Sequence, residues 1–156
     1  MNWYKKAINT QILEWDKIHS NFDYHAKQIL DGKKPAGHFD VQFDNSINYM
    51  NYPKVFDFIR YIKANRPDLN VYYTYQIQRD GTTMKAYVIG QPQACLSILE
   101  GMKKMTYQEN KANIDQAHKL FGEGVGYTQE EIDEFLKKDT IETKSTTEPS
   151  LVINKI

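Results

Sequence analysis

Apolar residues recur at spacings of three and four along much of the chain, which is the period of amphipathic helices. This pattern runs from Asn2 to Asp31 with a break near Ser20, and it returns after Pro53 and after Pro92. Proline suits the first turn of a helix because its missing N–H needs no partner there. The pattern therefore predicts helices on both sides of a central β region.

Two capping-box signatures predict further helices near the carboxyl end. Thr106 with Glu109, and Thr128 with Glu131, have the spacing at which a hydroxyl and a carboxylate satisfy the first amides of a helix. Gly122 is predicted to end the first of these helices, because glycine favours the position just after a helix.

Strict alternation of apolar and polar residues marks the β region. Residues His38 to Asp44 alternate throughout, and two alternating segments between Val71 and Gly90 flank Asp80-Gly81, which is typical of a two-residue type I′ hairpin turn. The cross-strand pairs predicted by that turn are Ile77 with Met84, Tyr75 with Ala86 and Tyr73 with Val88 on one face, and Gln78 with Thr83, Gln76 with Lys85, Thr74 with Tyr87 and Tyr72 with Ile89 on the other.

The order strand, helix, hairpin, helix predicts an α+β domain. The expected sheet has three strands, or four if a strand is hidden elsewhere, in a ferredoxin-like βαββα arrangement flanked by N-terminal and C-terminal helices. Residues 1–138 are predicted to form this single domain. Residues 139–156 turn to Thr, Ser, Glu, Lys and Pro without periodicity, so we expect a flexible tail, with the apolar run Leu151 to Ile153 as its one candidate for docking.

Composition narrows the classes of function. Lys+Arg and Asp+Glu both number 20, so no net charge attracts nucleic acid or an anionic membrane. Cys95 is the single cysteine, which excludes an internal disulfide and a cysteine-cluster zinc site. The sequence shows no apolar run long enough to span a bilayer and no signal-peptide pattern at its start, so we expect a cytoplasmic protein.

One face of the predicted sheet is expected to face the core, and the opposite face is the best candidate for binding. The residues expected to face the core are Phe39, Val41, Phe43, Tyr73, Tyr75, Ile77, Met84, Ala86 and Val88. The face opposite to them is the candidate. It mixes aromatic, apolar and polar side chains, which suits recognition of a macromolecular partner if the face is open. The alternative is that helices cover this face and its tyrosines belong to the interior. The candidate binding residues are Tyr72, Thr74, Gln76, Lys85, Tyr87 and Ile89.

An enzymatic alternative rests on His38, Asp40 and Asp44, which the alternation places on one face of a strand. Imidazole and carboxylate groups bind divalent metals, so these residues predict a metal-dependent hydrolase or phosphoesterase if a third element contributes a ligand. A solvated strand face has the same alternation. A small-ligand or nucleotide-binding module is a third alternative, and no cofactor is predicted.

The leading hypothesis is a small non-enzymatic interaction protein. A protein is the favoured partner, nucleic acid and homo-oligomerisation stay open, and no membrane association is expected. Lysine outnumbers arginine, and Asn, Ile and Tyr are abundant, as AT-rich coding produces. This composition suggests a phage or mobile-element origin, in which case the protein would act in the host cytoplasm.

Overall fold

The computed structural model describes residues 22–44, 46–47, 52–78, 80–107, 111–138 and 148–156. The predicted helical segment before residue 22, with its Ser20 break, lies outside these residues. The helices in the described part are α1 (Phe22–Leu30), α2 (Tyr52–Asn65), α3 (Pro92–Thr106), α4 (Lys111–Val125) and α5 (Gln129–Lys138). The strands are β1 (Ala36–Phe43), β2 (Ser46–Ile47), β3 (Asn70–Ile77), β4 (Thr83–Gly90) and β5 (Ser150–Lys155).

The strands form one open antiparallel sheet in the order β2-β1-β4-β3-β5. The predicted α+β class is therefore confirmed. The ferredoxin-like arrangement is not, because β5 joins the sheet beside β3, whereas that arrangement would place the last strand beside β1.

The position of β5 also decides where the helices lie. The connection from β1 to β3 passes over β4, and the connection from β4 to β5 passes over β3 in the same direction across the sheet. The two crossovers start from β1 and β4, which run in opposite directions. Crossovers between parallel strands are almost always right-handed, so two that move the same way across the sheet from antiparallel strands place their helices on opposite faces. Helix α2 therefore covers one face and helix α3 covers the other.

Each face of the sheet has its own hydrophobic core. We call the side that packs against α1 and α2 the front face, and the side that packs against α3 and α4 the back face. The front core consists of Phe22, Ala26, Ile29, Phe39, Val41, Val55, Phe58, Ile62, Leu69, Val71 and Ile89. The back core consists of Ala36, Val88, Cys95, Ile98, Leu99, Met102 and Val125, with Tyr72, Phe121, Leu151 and Ile153 packed against it.

Local sequence signals explain several of the helix ends. Helix α2 stops at Asn65, directly before Arg66-Pro67, because a residue that precedes proline disfavours helical geometry. Pro92 occupies the first turn of α3 as predicted. The hydroxyl of Thr128 accepts a hydrogen bond from the Glu131 N–H at 3.2 Å, so this capping box is confirmed.

The capping role predicted for Thr106 is wrong. Thr106 is the last residue of α3, and its buried hydroxyl donates to the carbonyl of Met102 at 2.7 Å. Gly122 does not end a helix either. It lies inside α4, where a Cβ would be 2.9 Å from Ile132. The helix ends at Val125, directly before Gly126, whose φ is +88°.

The hairpin exists, but its predicted register is wrong by one residue. Gln78 pairs with Thr82, and the N–H of Gly81 donates to the carbonyl of Gln78 at 2.9 Å. Gly81 has a φ of +86°, so the loop holds three residues rather than two and ends on a left-handed glycine. Tyr73 therefore pairs with Tyr87 instead of Val88. Because side chains alternate between faces, this shift moves every predicted β4 partner to the opposite face.

The predicted flexible tail is also wrong in part. Residues 150–155 form β5, which pairs with β3 from Tyr72 to Ile77. Leu151 and Ile153 point toward the back core, which explains why this short apolar run departs from the composition around it. Residues 139–147 lie outside the described residues.

Candidate functional site

The predicted binding residues do not form one surface. Tyr72, Thr74 and Gln76 lie on the back face, where α3 covers the sheet. Lys85, Tyr87 and Ile89 lie on the front face, and Ile89 is fully buried in the front core. Thr74 and Gln76 are buried as well. The expectation that these six residues share an open face is therefore wrong, because the register shift separates them and helices cover both faces.

The front face nevertheless carries a cluster of tyrosines, which we call the tyrosine surface. Its members are Tyr73, Tyr75, Lys85, Tyr87 and Val152. The pairs Tyr73 with Tyr87 and Tyr75 with Lys85 place the first four on one face, and Val152 joins them because it pairs with Tyr75. Apart from Tyr87, which packs at its edge, these residues are not part of the front core.

Ring contacts order the tyrosine surface. The rings of Tyr73 and Tyr87 are 5.4 Å apart between centroids, and Phe56 of α2 meets Tyr87 edge to face at 5.8 Å. The Lys85 ammonium lies 5.8 Å from the centroid of the Tyr75 ring, within the range of a cation–π interaction. In an antiparallel sheet, residue pairs that do not exchange backbone hydrogen bonds have the closest side chains. Tyr73–Tyr87 and Tyr75–Lys85 are both pairs of this kind.

Exposure distinguishes the tyrosine surface from the covered parts of the sheet. Tyr73, Tyr75, Lys85 and Tyr87 are all half-buried, and Val152 at the sheet margin is 49% exposed. Half-buried tyrosines present an apolar ring together with a hydroxyl that donates and accepts hydrogen bonds. The arrangement can therefore contribute apolar area and oriented polar groups to a partner.

The geometry of β1 contradicts the metal site predicted from His38, Asp40 and Asp44. The pairing of β1 shifts between Asp40 and Gln42, which marks a β-bulge. Asp44 follows this bulge and donates its N–H to Thr83, a front-face position, whereas His38 and Asp40 face the back. No group of three or more His, Cys, Asp or Glu side chains in the described ranges is placed to hold a metal ion.

His38 itself is an interior residue. Its ring packs edge to face against Phe121 with centroids 5.3 Å apart, and its Nε2 is buried with no hydrogen-bond partner in the described structure. Burial lowers the pKa of the imidazole, and the charge of Asp40 opposes this only in part. The ring is therefore neutral at pH 7. The same bulge places Phe43 opposite Met84 instead of beside Phe39, and its side chain is exposed.

Cys95 has no nucleophilic character in this fold. The thiol lies in the back core, and burial raises its pKa to about 12. A thiol with that pKa stays protonated at neutral pH, whereas nucleophilic cysteines have lowered pKa values and are accessible.

The register predicted from the sequence assigns Tyr73 and Tyr75 to the core, and it does not identify Val152 as a site residue. A three-residue reading of the Gln78 to Thr82 loop would have placed Lys85 and Tyr87 beside the first two. No signal near Val152 points to β3, because the pairing of β5 joins distant parts of the chain.

Comparison of the chain with protein-family models, with curated proteins and with solved structures gave no significant match. No helix in the described residues combines the length and apolar character needed to cross a membrane.

Proposed function

We propose that this protein is a non-enzymatic interaction protein that binds a protein partner through the tyrosine surface. The observation that carries the proposal is the cluster of half-buried tyrosines, ordered by ring contacts, on a part of the front face outside the front core. Tyrosine is enriched at protein interfaces because it supplies a large contact area with little loss of side-chain entropy.

The charge of the surface favours a protein over a nucleic acid as partner. Lys85 is its only basic member, and its ammonium lies over the Tyr75 ring. Nucleic-acid surfaces usually combine several Lys or Arg side chains that neutralise phosphates. A protein partner needs no such array, because buried aromatic anchors dominate protein interfaces.

The proposal places the protein in the cytoplasm, including that of a host cell if the chain is encoded by a phage. Its support is the free thiol of Cys95, which is buried and has no disulfide partner. A chain with one cysteine has no internal disulfide, and such bonds are rare in cytosolic proteins.

A photo-reactive benzoylphenylalanine tests the proposal when it replaces Tyr75. The same replacement at Tyr127, an exposed tyrosine two residues after the end of α4, is the matched control. After irradiation in lysate of the cell that makes the protein, position 75 is expected to give one discrete protein adduct that position 127 does not give.

Two charge variants then test whether the adduct depends on the tyrosine surface. Val152 and Leu96 are equally exposed at 49%, but Leu96 lies on α3 at the back of the sheet. Val152→Lys is expected to abolish the adduct at position 75, and Leu96→Lys to preserve it. Equal yields from positions 75 and 127, or an adduct that contains nucleic acid, would refute the proposal.

A further inference from the structure

Among the described strands, none pairs with the outer margin of β5, and the pattern of its backbone hydrogen bonds to β3 is defined. The N–H of Ile156 donates to the carbonyl of Val71 at 2.9 Å, which fixes which residues of β5 bond to β3. Backbone groups alternate in direction along an antiparallel ladder, so those of Leu151, Ile153 and Lys155 point away from β3. These three residues form the outward edge.

One outward donor is already occupied. The N–H of Leu151 donates to the Tyr107 hydroxyl at 2.9 Å, where Tyr107 follows the last turn of α3. No residue of the described ranges accepts from the outward N–H groups of Ile153 and Lys155. Unpaired backbone groups on an extended strand are a template for another strand.

The two margins of the sheet differ in protection. Strand β2 is only two residues long, Ser46–Ile47, and offers almost no template. Strand β5 has six residues, contains no proline and carries its single charge, Lys155, at its end. Natural proteins usually protect an exposed edge with prolines, central charges or shortness, and β5 has none of these.

We propose that two copies of this chain associate by antiparallel pairing of their β5 strands about a twofold axis at Ile153. Ile153 would then pair with Ile153 of the second copy, and Val152 with Asn154. Lys155 would lie opposite Leu151, which keeps like charges apart and lets the free Leu151 carbonyl accept from the Lys155 N–H. The edge is thus self-complementary, as a twofold interface requires.

The packing of β5 leaves the edge clear at Ile153, where the axis would lie, whereas the Tyr107 side chain must move aside for Lys155 of the second copy to lie opposite Leu151. Leu151 and Ile153 direct their side chains into their own back core, so only backbone groups and the margins of side chains meet at the axis. The twofold axis is perpendicular to the sheet, so the tyrosine surfaces of both copies lie on the same side of one continuous sheet.

The test compares Ile153→Pro with Ile153→Ala by sedimentation equilibrium of the purified full chain. The N–H of Ile153 does not bond to β3, so proline at this position removes no hydrogen bond from the ladder within the chain. Alanine removes the same side chain but keeps the outward N–H. We expect wild type and Ile153→Ala to dimerise, and Ile153→Pro to dimerise at least about tenfold more weakly.

Two further variants keep the test decisive if Ile153→Pro fails to fold. Lys155→Pro removes the other free outward N–H at an exposed side chain and is also expected to weaken the dimer. Tyr107→Phe releases the Leu151 N–H and is expected to strengthen it. A monomeric wild type at its highest soluble concentration, or a dimer that neither proline weakens, would overturn the proposal.

Discussion

The contact between Gln76 and Thr106 gives the sharpest test of the buried polar structure. Gln76 Nε2 donates to Thr106 Oγ1, which in turn donates to the carbonyl of Met102 at 2.7 Å. Both side chains are buried between the back face and the end of α3. Thr106→Val keeps the side-chain shape but removes the acceptor, so a buried amide donor of Gln76 loses its partner.

The burial of Gln76 decides how much stability the Thr106→Val variant is expected to lose. A buried donor without a partner costs about 1–3 kcal/mol, whereas replacing both partners with apolar groups of similar shape is close to neutral. We therefore expect Thr106→Val to lower the free energy of unfolding by about 1–3 kcal/mol. The double variant Thr106→Val with Gln76→Met should lose less than the sum of the two single losses, with a coupling energy of about 0.5–3 kcal/mol.

Urea denaturation followed by circular dichroism measures these differences, provided that the denaturant slope is unchanged among the variants. Thr106→Ser is the control, because it retains the hydroxyl and loses only a methyl group. Strictly additive losses, or a Thr106→Val protein as stable as wild type, would refute the reasoning.

Two further predictions concern helix packing and pH. Gly101→Ala should lower the free energy of unfolding by about 1–3 kcal/mol in urea titrations, because its Cβ would lie 2.7 Å from the Ala117 carbonyl oxygen; a gain in stability, as in an uncrowded helix, would contradict it. Burial lowers the pKa of Lys34 from 10.5 to about 8, so the folded protein loses this proton first. Between pH 8 and 10.5 the unfolded chain holds more protons, and wild-type stability should rise relative to Lys34→Met. A stability difference that stays constant over this range would count against the shift.

The elements of this fold were predictable because their signals are local. Helices α1, α2, α3 and α5 and the strands of the hairpin follow from periodicity, prolines and one capping box. The register was not predictable from the same signals. A two-residue turn and a three-residue loop both place Gly81 at a positive φ, yet they differ by one residue in pairing and so assign β4 to opposite faces.

The composition of the tyrosine surface depends on this one-residue shift in the pairing of β3 with β4. With the observed register, Lys85 and Tyr87 join Tyr73 and Tyr75, which the predicted register assigns to the covered side. The bulge after Asp40 had a similar effect, because a single extra residue moved Phe43 and Asp44 to other faces. Val152 lay beyond prediction, since no local pattern specifies its pairing with Tyr75.

The late position of β5 in the chain has a consequence for the order of folding. The β3–β4 hairpin joins neighbouring segments, whereas β5 reaches β3 only after α3, α4 and α5 have intervened. Closing so long a loop costs entropy before its contacts form, so we expect β5 to dock after the hairpin and its helices have assembled. Amide protons of β5 should accordingly exchange with deuterium sooner than those of β4, which has a strand on each side.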